Sequence, residues 1–149
     1  MYFCVSTKIL YLFKIKQKHT KMFKNLIITC FLGLSAVILG AFGAHALKES
    51  LTITELQSFE TAVRYQMYHV LVLLFVNLFK DFTEKQKRNL SSVFFTGIIF
   101  FSGSIYIIQL TPVTAKSIWF VTPLGGLFFI IGWIMMIVIF LKNEQRNKK

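Results

Sequence analysis

The stretch LIITCFLGLSAVILGAFGAHAL, residues 26–47, decides the fold. It contains no Lys, Arg, Asp or Glu. At about 1.5 Å rise per residue a helix of this length crosses about 30 Å of hydrocarbon. Lys21 and Lys24 precede it, and Ala44-His45-Ala46 has the A-x-A form of a signal cleavage site. The apolar run nevertheless exceeds the ~7–15 residues of a signal h-region, so it reads as a retained transmembrane helix.

Three more apolar runs follow: AVRYQMYHVLVLLFVNLF (62–79), LSSVFFTGIIFFSGSIYIIQL (90–110) and a run from Thr122 through Leu141. Pro112 stops the third, because it cannot continue the hydrogen-bond ladder and biases Thr111 away from the helix. Thr122 and Pro123 suit the N-cap and first helical position of the fourth. Between the first two runs, KESLTITELQSFE (48–60) is polar. Ile53, Leu56, Phe59 and Val63 fall on one helical stripe, and Thr52 with Glu55 has capping-box spacing. The expectation is an all-α membrane protein, a four-transmembrane-helix bundle with a short amphipathic helix between spans one and two. Residues 1–21 form a basic N-terminal extension, read as lying upstream of a start at Met22, with a genuine surface-bound segment as the alternative. Residues 22–141 form the four-span domain, and 142–149 a charged cytoplasmic tail.

Composition agrees with this division. Of 149 residues, 55% are hydrophobic and 15% charged, too apolar a balance for an ordinary soluble domain, while the net charge is +11. The basic groups flank the apolar runs instead of forming a basic helix or an aromatic platform, so nucleic acid is not an expected partner. Fourteen of the 17 Lys and Arg lie before span one, between spans two and three, or in the tail; Lys48, Arg64 and Lys116 lie on the other side. The positive-inside rule then places both termini in the cytoplasm. Cys4 and Cys30 sit at different depths and form no CxxC, so neither a disulfide framework nor a zinc site is indicated.

No phosphate loop, GxSxG or HExxH motif is present. No catalytic residue, cofactor or metal is expected; His45 and His69 would need a third ligand to hold zinc. What stands out instead is packing and polarity inside spans. Ala36, Gly40 and Ala44, spaced by four, make a small-residue ridge that lets a second helix approach closely, and Gly125 and Gly132 make another on span four. Arg64 and His69 are ionisable groups in a run meant for lipid. Arg64 sits near its helix end, where it can snorkel and pair with Glu60. The inferred topology gathers His45, Arg64, Tyr65, His69, Tyr106, Gln109 and Thr122 in the outer half, and leaves the inner halves nearly pure Leu, Ile, Phe and Val. Such a cluster is either a shallow outward-facing polar pocket or a buried network that locks the bundle.

Four phrases then occur in order: GAFGAHALK (40–48), FETAVRYQMYHVLVLL (59–74), FSGSIYIIQLT (101–111) and TPLGGLFFIIGW (122–133). Together they closely resemble the YgdD-type family of small bacterial inner-membrane proteins, domain of unknown function family 423, over about residues 22–141. The resemblance implies a four-helix membrane protein and implies no reaction. Its phrases fall on His45, Arg64, Tyr65, His69, Ser102, Gly103, Ser104, Tyr106, Pro123, Gly125, Gly126 and Trp133. The function expected is a non-catalytic structural or accessory role in a bacterial cytoplasmic membrane. Its partners are the lipid bilayer and, beyond it, other membrane proteins or a second copy. The alternative is a small transporter or channel component that uses the outward polar site.

Overall fold

In the computed structural model the protein is all-helical. The structure describes the backbone of residues 2–147 and the side chains of residues 23–145. Four helices, α1 (Tyr2–His45), α2 (Ile53–Leu78), α3 (Glu84–Leu110) and α4 (Val121–Asn147), are joined by 3-10 turns at Ala46–Glu49 and Ala115–Ser117 and a short bend at residues 79–83. Among the described residues, three stretches, Phe23–Glu49, Glu84–Leu110 and Val121–Gln145, are long and apolar enough to cross a membrane. The side chains of residues 1–21, with the basic groups assigned to that extension, lie outside the described residues, as do those of Arg146, Lys148 and Lys149 in the tail.

Local chemistry explains the helix ends. Thr52 caps α2: its hydroxyl accepts from the Glu55 N–H, and the Glu55 carboxylate accepts from the Thr52 N–H at 2.8 Å. Thr83 and Gln86 form the same reciprocal pair at the start of α3, which satisfies otherwise orphaned donors. After Thr111, an extended residue, Pro112 prevents α3 from continuing.

Two expectations are corrected here. The 48–60 segment is not a separate amphipathic helix. After the 3-10 turn and the Thr52 cap, Ile53 opens a helix that runs unbroken to Leu78, because no Gly or Pro separates Glu60 from Ala62. Its stripe is graded, with Ile53 77% exposed and Phe59 fully buried. Thr122 is not the N-cap of α4. The helix begins one residue earlier, with the Leu124 N–H on the Phe120 carbonyl, and Pro123 is tolerated because first-turn N–H groups lack helical partners anyway.

Cross-helix contacts give the direction of each helix. Gly33 faces Val70, Gly40 faces Val63 and Gly43 faces Phe59, so α1 and α2 are antiparallel. The Tyr106 ring lies against Phe59, Ser102 reaches Ala62 and Ser91 reaches Asn77, so α2 and α3 are antiparallel. Gly97 meets Phe129, Gly132 meets Phe94 and Ser104 meets Thr122, so α3 and α4 are antiparallel. It follows that α1 and α3 point the same way. Helix α2 holds the centre. It packs on α1 and α3 along their length, and His69 and Phe79 bring it against Phe129 and Phe140 of α4. The core is built around Phe59, Leu73, Val76, Leu90 and Phe94, all without exposed surface.

Candidate functional site

The polar groups inside the bundle form two hubs, both on α2. In the first, the Gln66 amide nitrogen donates to the Leu32 carbonyl at 2.7 Å and to the Ser35 hydroxyl at 2.8 Å. Its amide oxygen accepts from the Tyr106 hydroxyl at 2.9 Å. One side chain thereby ties α1, α2 and α3 together, and it is only 3% exposed. Around it, Ser102 donates to the Ala62 carbonyl at 2.8 Å, and the Ser104 and Thr122 hydroxyls share a 2.6 Å bond that adds α4.

The second hub lies eleven residues further along α2, about three turns and hence on the same face. The Asn77 amide nitrogen donates to the Leu73 carbonyl at 2.8 Å and to Ser91 at 2.9 Å, and its oxygen accepts from Asn25 at 3.3 Å. Lys87, itself buried, donates from Nζ to the Asn77 carbonyl at 3.0 Å. That carbonyl lies in the last turn of α2, where a cation suits the negative end of the helix dipole. The half of the bundle expected to be nearly pure Leu, Ile, Phe and Val is therefore not purely apolar. Asn77 ends an apolar run and Lys87 sits in a charged turn, so both read as surface residues until the bundle buries them.

The residues singled out from sequence divide into two groups. Tyr106 bonds Gln66, and Thr122 makes a separate interhelical pair with Ser104. His69 is buried, and its Nδ1 bonds the Tyr65 carbonyl one turn back at 2.8 Å. A carbonyl only accepts, so Nδ1 carries the proton, and Nε2 is a buried acceptor without a partner. The imidazole lies flat on Phe129, with ring centroids 3.5 Å apart and planes 5° apart, and Phe94 and Trp133 stand nearby. The Tyr65 ring stacks on Phe101 of α3 at 4.7 Å, an aromatic rather than a polar contact between helices. Arg64 is exposed and folds back on its own helix. It reaches the Glu60 carbonyl at 3.3 Å, not the carboxylate, and the Thr61 hydroxyl at 3.5 Å. His45 is exposed at the end of α1, and Gln109 is half-buried near the end of α3. His45, Arg64, Tyr65 and His69 thus do not form one connected polar site. Gln66, one residue beyond Tyr65, is the connecting group. It shares a face with Ala62 and His69, but Tyr65 stands at the same helical intervals from both, so spacing does not single Gln66 out.

The packing residues also shift. Ala36 is 1% exposed and Gly40 faces Val63, but Ala44 is exposed. The α1 seam runs Thr29, Gly33, Ala36, Gly40, Gly43 and Leu47, alternating steps of four and three. A strict step of four drifts off the face at 3.6 residues per turn. On α4, Gly125 lies against the Phe100–Phe101 backbone, and Gly132 lies under the Phe94 ring.

Comparison of the sequence with known proteins matches the chain to membrane proteins. A family model described as "Protein of unknown function (DUF423)" matches residues 39–126. The chain is 45% identical over 107 residues to a UPF0382 membrane protein of Staphylococcus aureus, covering 72% of this chain and 86% of that one. It is 42% identical over 115 residues to the UPF0382 membrane protein YwdK of Bacillus subtilis, covering 73% and 89%. It is 36% identical over 113 residues to a UPF0382 membrane protein of Haemophilus influenzae, covering 76% and 90%. None of these three bears the narrower YgdD-type label. No solved structure matches the chain.

Proposed function

The chain belongs to the DUF423 family, and from that premise we propose that it is a four-span, non-catalytic accessory protein of a bacterial cytoplasmic membrane, with both termini cytoplasmic. The burial of Gln66 carries this proposal. A transport pathway would need its polar groups open to water from one side. Gln66 instead spends its donors on Leu32 and Ser35 and its acceptor on Tyr106, at 3% exposure. A satisfied, sealed polar group between helices fixes their register in lipid, where small-residue packing alone leaves sliding cheap.

Support for a fourth span comes from direction and from which faces are polar. Helices α1 and α3 run parallel and α2 lies between them, so a membrane that holds α1 and α3 holds α2 as well. At about 39 Å for 26 residues, α2 has the length. Its polar residues Gln66, His69 and Asn77 face the bundle, while Tyr68, Leu71, Phe75 and Leu78 face outward. The end that holds Lys24, Lys80, Lys85, Arg88 and Lys142 is the cytoplasmic one by the positive-inside rule. A transporter reading draws on the unpartnered Nε2 of His69, which the Phe129 ring covers.

Cysteine labelling tests both topology and seal. Cys4 and Cys30 are first replaced by Ser. An impermeant maleimide added to intact cells should label Ser50→Cys at once, label Asn89→Cys only after permeabilisation, and leave Ser35→Cys unlabelled in both. Labelling of Ser50→Cys and Asn89→Cys from the same side would end the four-span reading. Rapid labelling of Ser35→Cys would replace the lock with a water-filled path.

A further inference from the structure

We infer that the groove between the start of α3 and the end of α4 is a binding site for one anionic phospholipid of the cytoplasmic leaflet. The groove has a volume of about 450 Å³. One wall is apolar, formed by Ile134, Met135, Val138 and Ile139 along α4. The mouth carries Lys85 and Lys142, with Thr83, Gln86 and Asn89 beside them. The order is that of a phospholipid. Acyl chains need an apolar trough that opens sideways to the bilayer, and Ile134 and Val138 are 54% and 41% exposed. A phosphodiester needs cations and neutral donors at headgroup depth. Both lysines occupy that depth, because Lys85 lies in the first turn of α3 and Lys142 follows the last apolar residue of α4.

The groove is also fixed in shape. The Asn143 amide reaches the Asp81 carbonyl at 3.4 Å, which ties the end of α4 to the α2–α3 bend. The capping box uses the Thr83 hydroxyl oxygen and the Gln86 amide oxygen as acceptors. The Gln86 amide nitrogen and the Asn89 side chain remain to face a headgroup. Glu84 stands in the same first turn, so the two ammonium groups, more than the helix dipole, must supply the positive field. Lys87, by contrast, is turned inward onto Asn77 and takes no part. Basic pockets between helices on the cytoplasmic side are a recurrent form of anionic headgroup recognition.

The site rests on the proposed orientation only for which leaflet supplies the lipid, and a measurement in detergent has no sides, so the two can fail separately. The delipidated full chain is titrated with phosphatidylglycerol or phosphatidylcholine of identical acyl chains, and bound lipid is counted by native mass spectrometry. One phosphatidylglycerol should be retained in preference to phosphatidylcholine. Lys85→Gln and Lys142→Gln should each weaken it about fivefold, and together about thirtyfold, with phosphatidylcholine unchanged. Lys142→Arg should keep the preference. Val138→Trp, which fills the trough without touching charge, should weaken both lipids, and Lys116→Gln at the opposite end should change nothing. Thermal unfolding of each variant without lipid separates loss of site from loss of fold. Equal binding of the two lipids, or an unchanged preference in the double lysine variant, would overturn the assignment. So would displacement of phosphatidylglycerol by equimolar inorganic phosphate, since the trough would then contribute nothing.

Discussion

Helices α2 and α4 invert the usual relation between apolarity and burial. Helix α4 is apolar almost all round. Leu127, Ile130, Ile131, Ile134, Ile137 and Leu141 all lie on its exposed side. Helix α2 carries Arg64, Gln66, His69 and Asn77, and it alone of the four falls outside the stretches apolar enough to cross a membrane. Yet α2 is the central helix, and α4 lies to one side of it. In water the innermost helix is the most apolar. In lipid the outermost must be, because a polar backbone or side chain facing hydrocarbon has no partner. Polarity can be kept only where other helices satisfy it. On the four-span reading proposed above, the low apolarity of α2 therefore reflects its neighbours.

The largest test of this contrast is at the α3–α4 seam. A Cβ at Gly125 would run into the Phe101 backbone, which cannot retreat as a side chain can. Gly125→Leu should cost at least about 3 kcal/mol, the upper end for forced overpacking. It should also detach α4, seen as a lost cooperative thermal transition in detergent. The comparison is Gly103→Ala, since nothing lies within 4 Å of a Cβ there. It should leave stability unchanged or raise it by up to about 1 kcal/mol through better helix propensity. Similar losses at both positions would show that the seam is not where the helices touch.

Next in size is the hub. Gln66→Leu removes the bonds to Leu32, Ser35 and Tyr106 and strands the Tyr106 hydroxyl, while Ser35 keeps its 2.9 Å bond to the Leu32 carbonyl. The expected loss is about 1–3 kcal/mol, larger than for any single hydrogen bond between helices in lipid, because three partners are lost together. Gln109→Leu should cost about 0.5 kcal/mol or less, as for an ordinary surface change. If Gln109 proves the costlier position, the centre of the polar network lies nearer the C-terminal end of α3 than Gln66.

Much of the fold was legible in the sequence because its causes are local. The Thr52 box and Pro112 act through neighbours within four residues, and each apolar run is contiguous in the chain. The partners of α2 were not legible in that way. Tyr65 and Gln66 are adjacent, and both step to His69 by a helical interval, so periodicity alone does not say which faces α1. That choice is made by what the opposing helix offers: Gly33, Ser35 and Ala36 leave room and an acceptor for Gln66, whereas Phe101 offers a ring to Tyr65. Likewise Asn77 and Lys87 each read as interface residues, and only the antiparallel pairing of α2 with α3 brings them together.

A smaller effect should separate the two candidate ridges on α1. Gly43 lies 3.0 Å from the Phe59 ring, measured from where a Cβ would sit, while Ala44 is exposed. Gly43→Leu should cost about 1–3 kcal/mol by overpacking, and Ala44→Leu should be tolerated because it adds an apolar side chain to an exposed face. The readout is the detergent unfolding temperature of each. A loss at Ala44 with none at Gly43 would restore the strict step-of-four ridge and rotate α1 by about 100° against α2.

The smallest effect lies at the cap of α2, where the chain leaves the bundle's polar end. The Glu55 carboxyl is held below its ordinary 4.5 by hydrogen bonds from the Thr52 side chain and backbone that favour its charged form. A carboxylate whose folded value is depressed contributes stability above its unfolded value, and loses it as pH falls through the folded one. The cap should therefore be intact at neutral pH and fray progressively below about 4.5. The group is fully exposed, so the change should be local: faster amide exchange at Ile53–Leu56 as pH is lowered, beyond the intrinsic pH trend, while the Gln66 region stays protected. Glu55→Gln can still accept from the Thr52 N–H but carries no charge, and it should remove the pH dependence while retaining much of the cap. If exchange at Gln66 rises together with that at the cap, then α2 opens as one unit from its N-terminal end, and the central helix is less firmly held by its hubs than its burial implies.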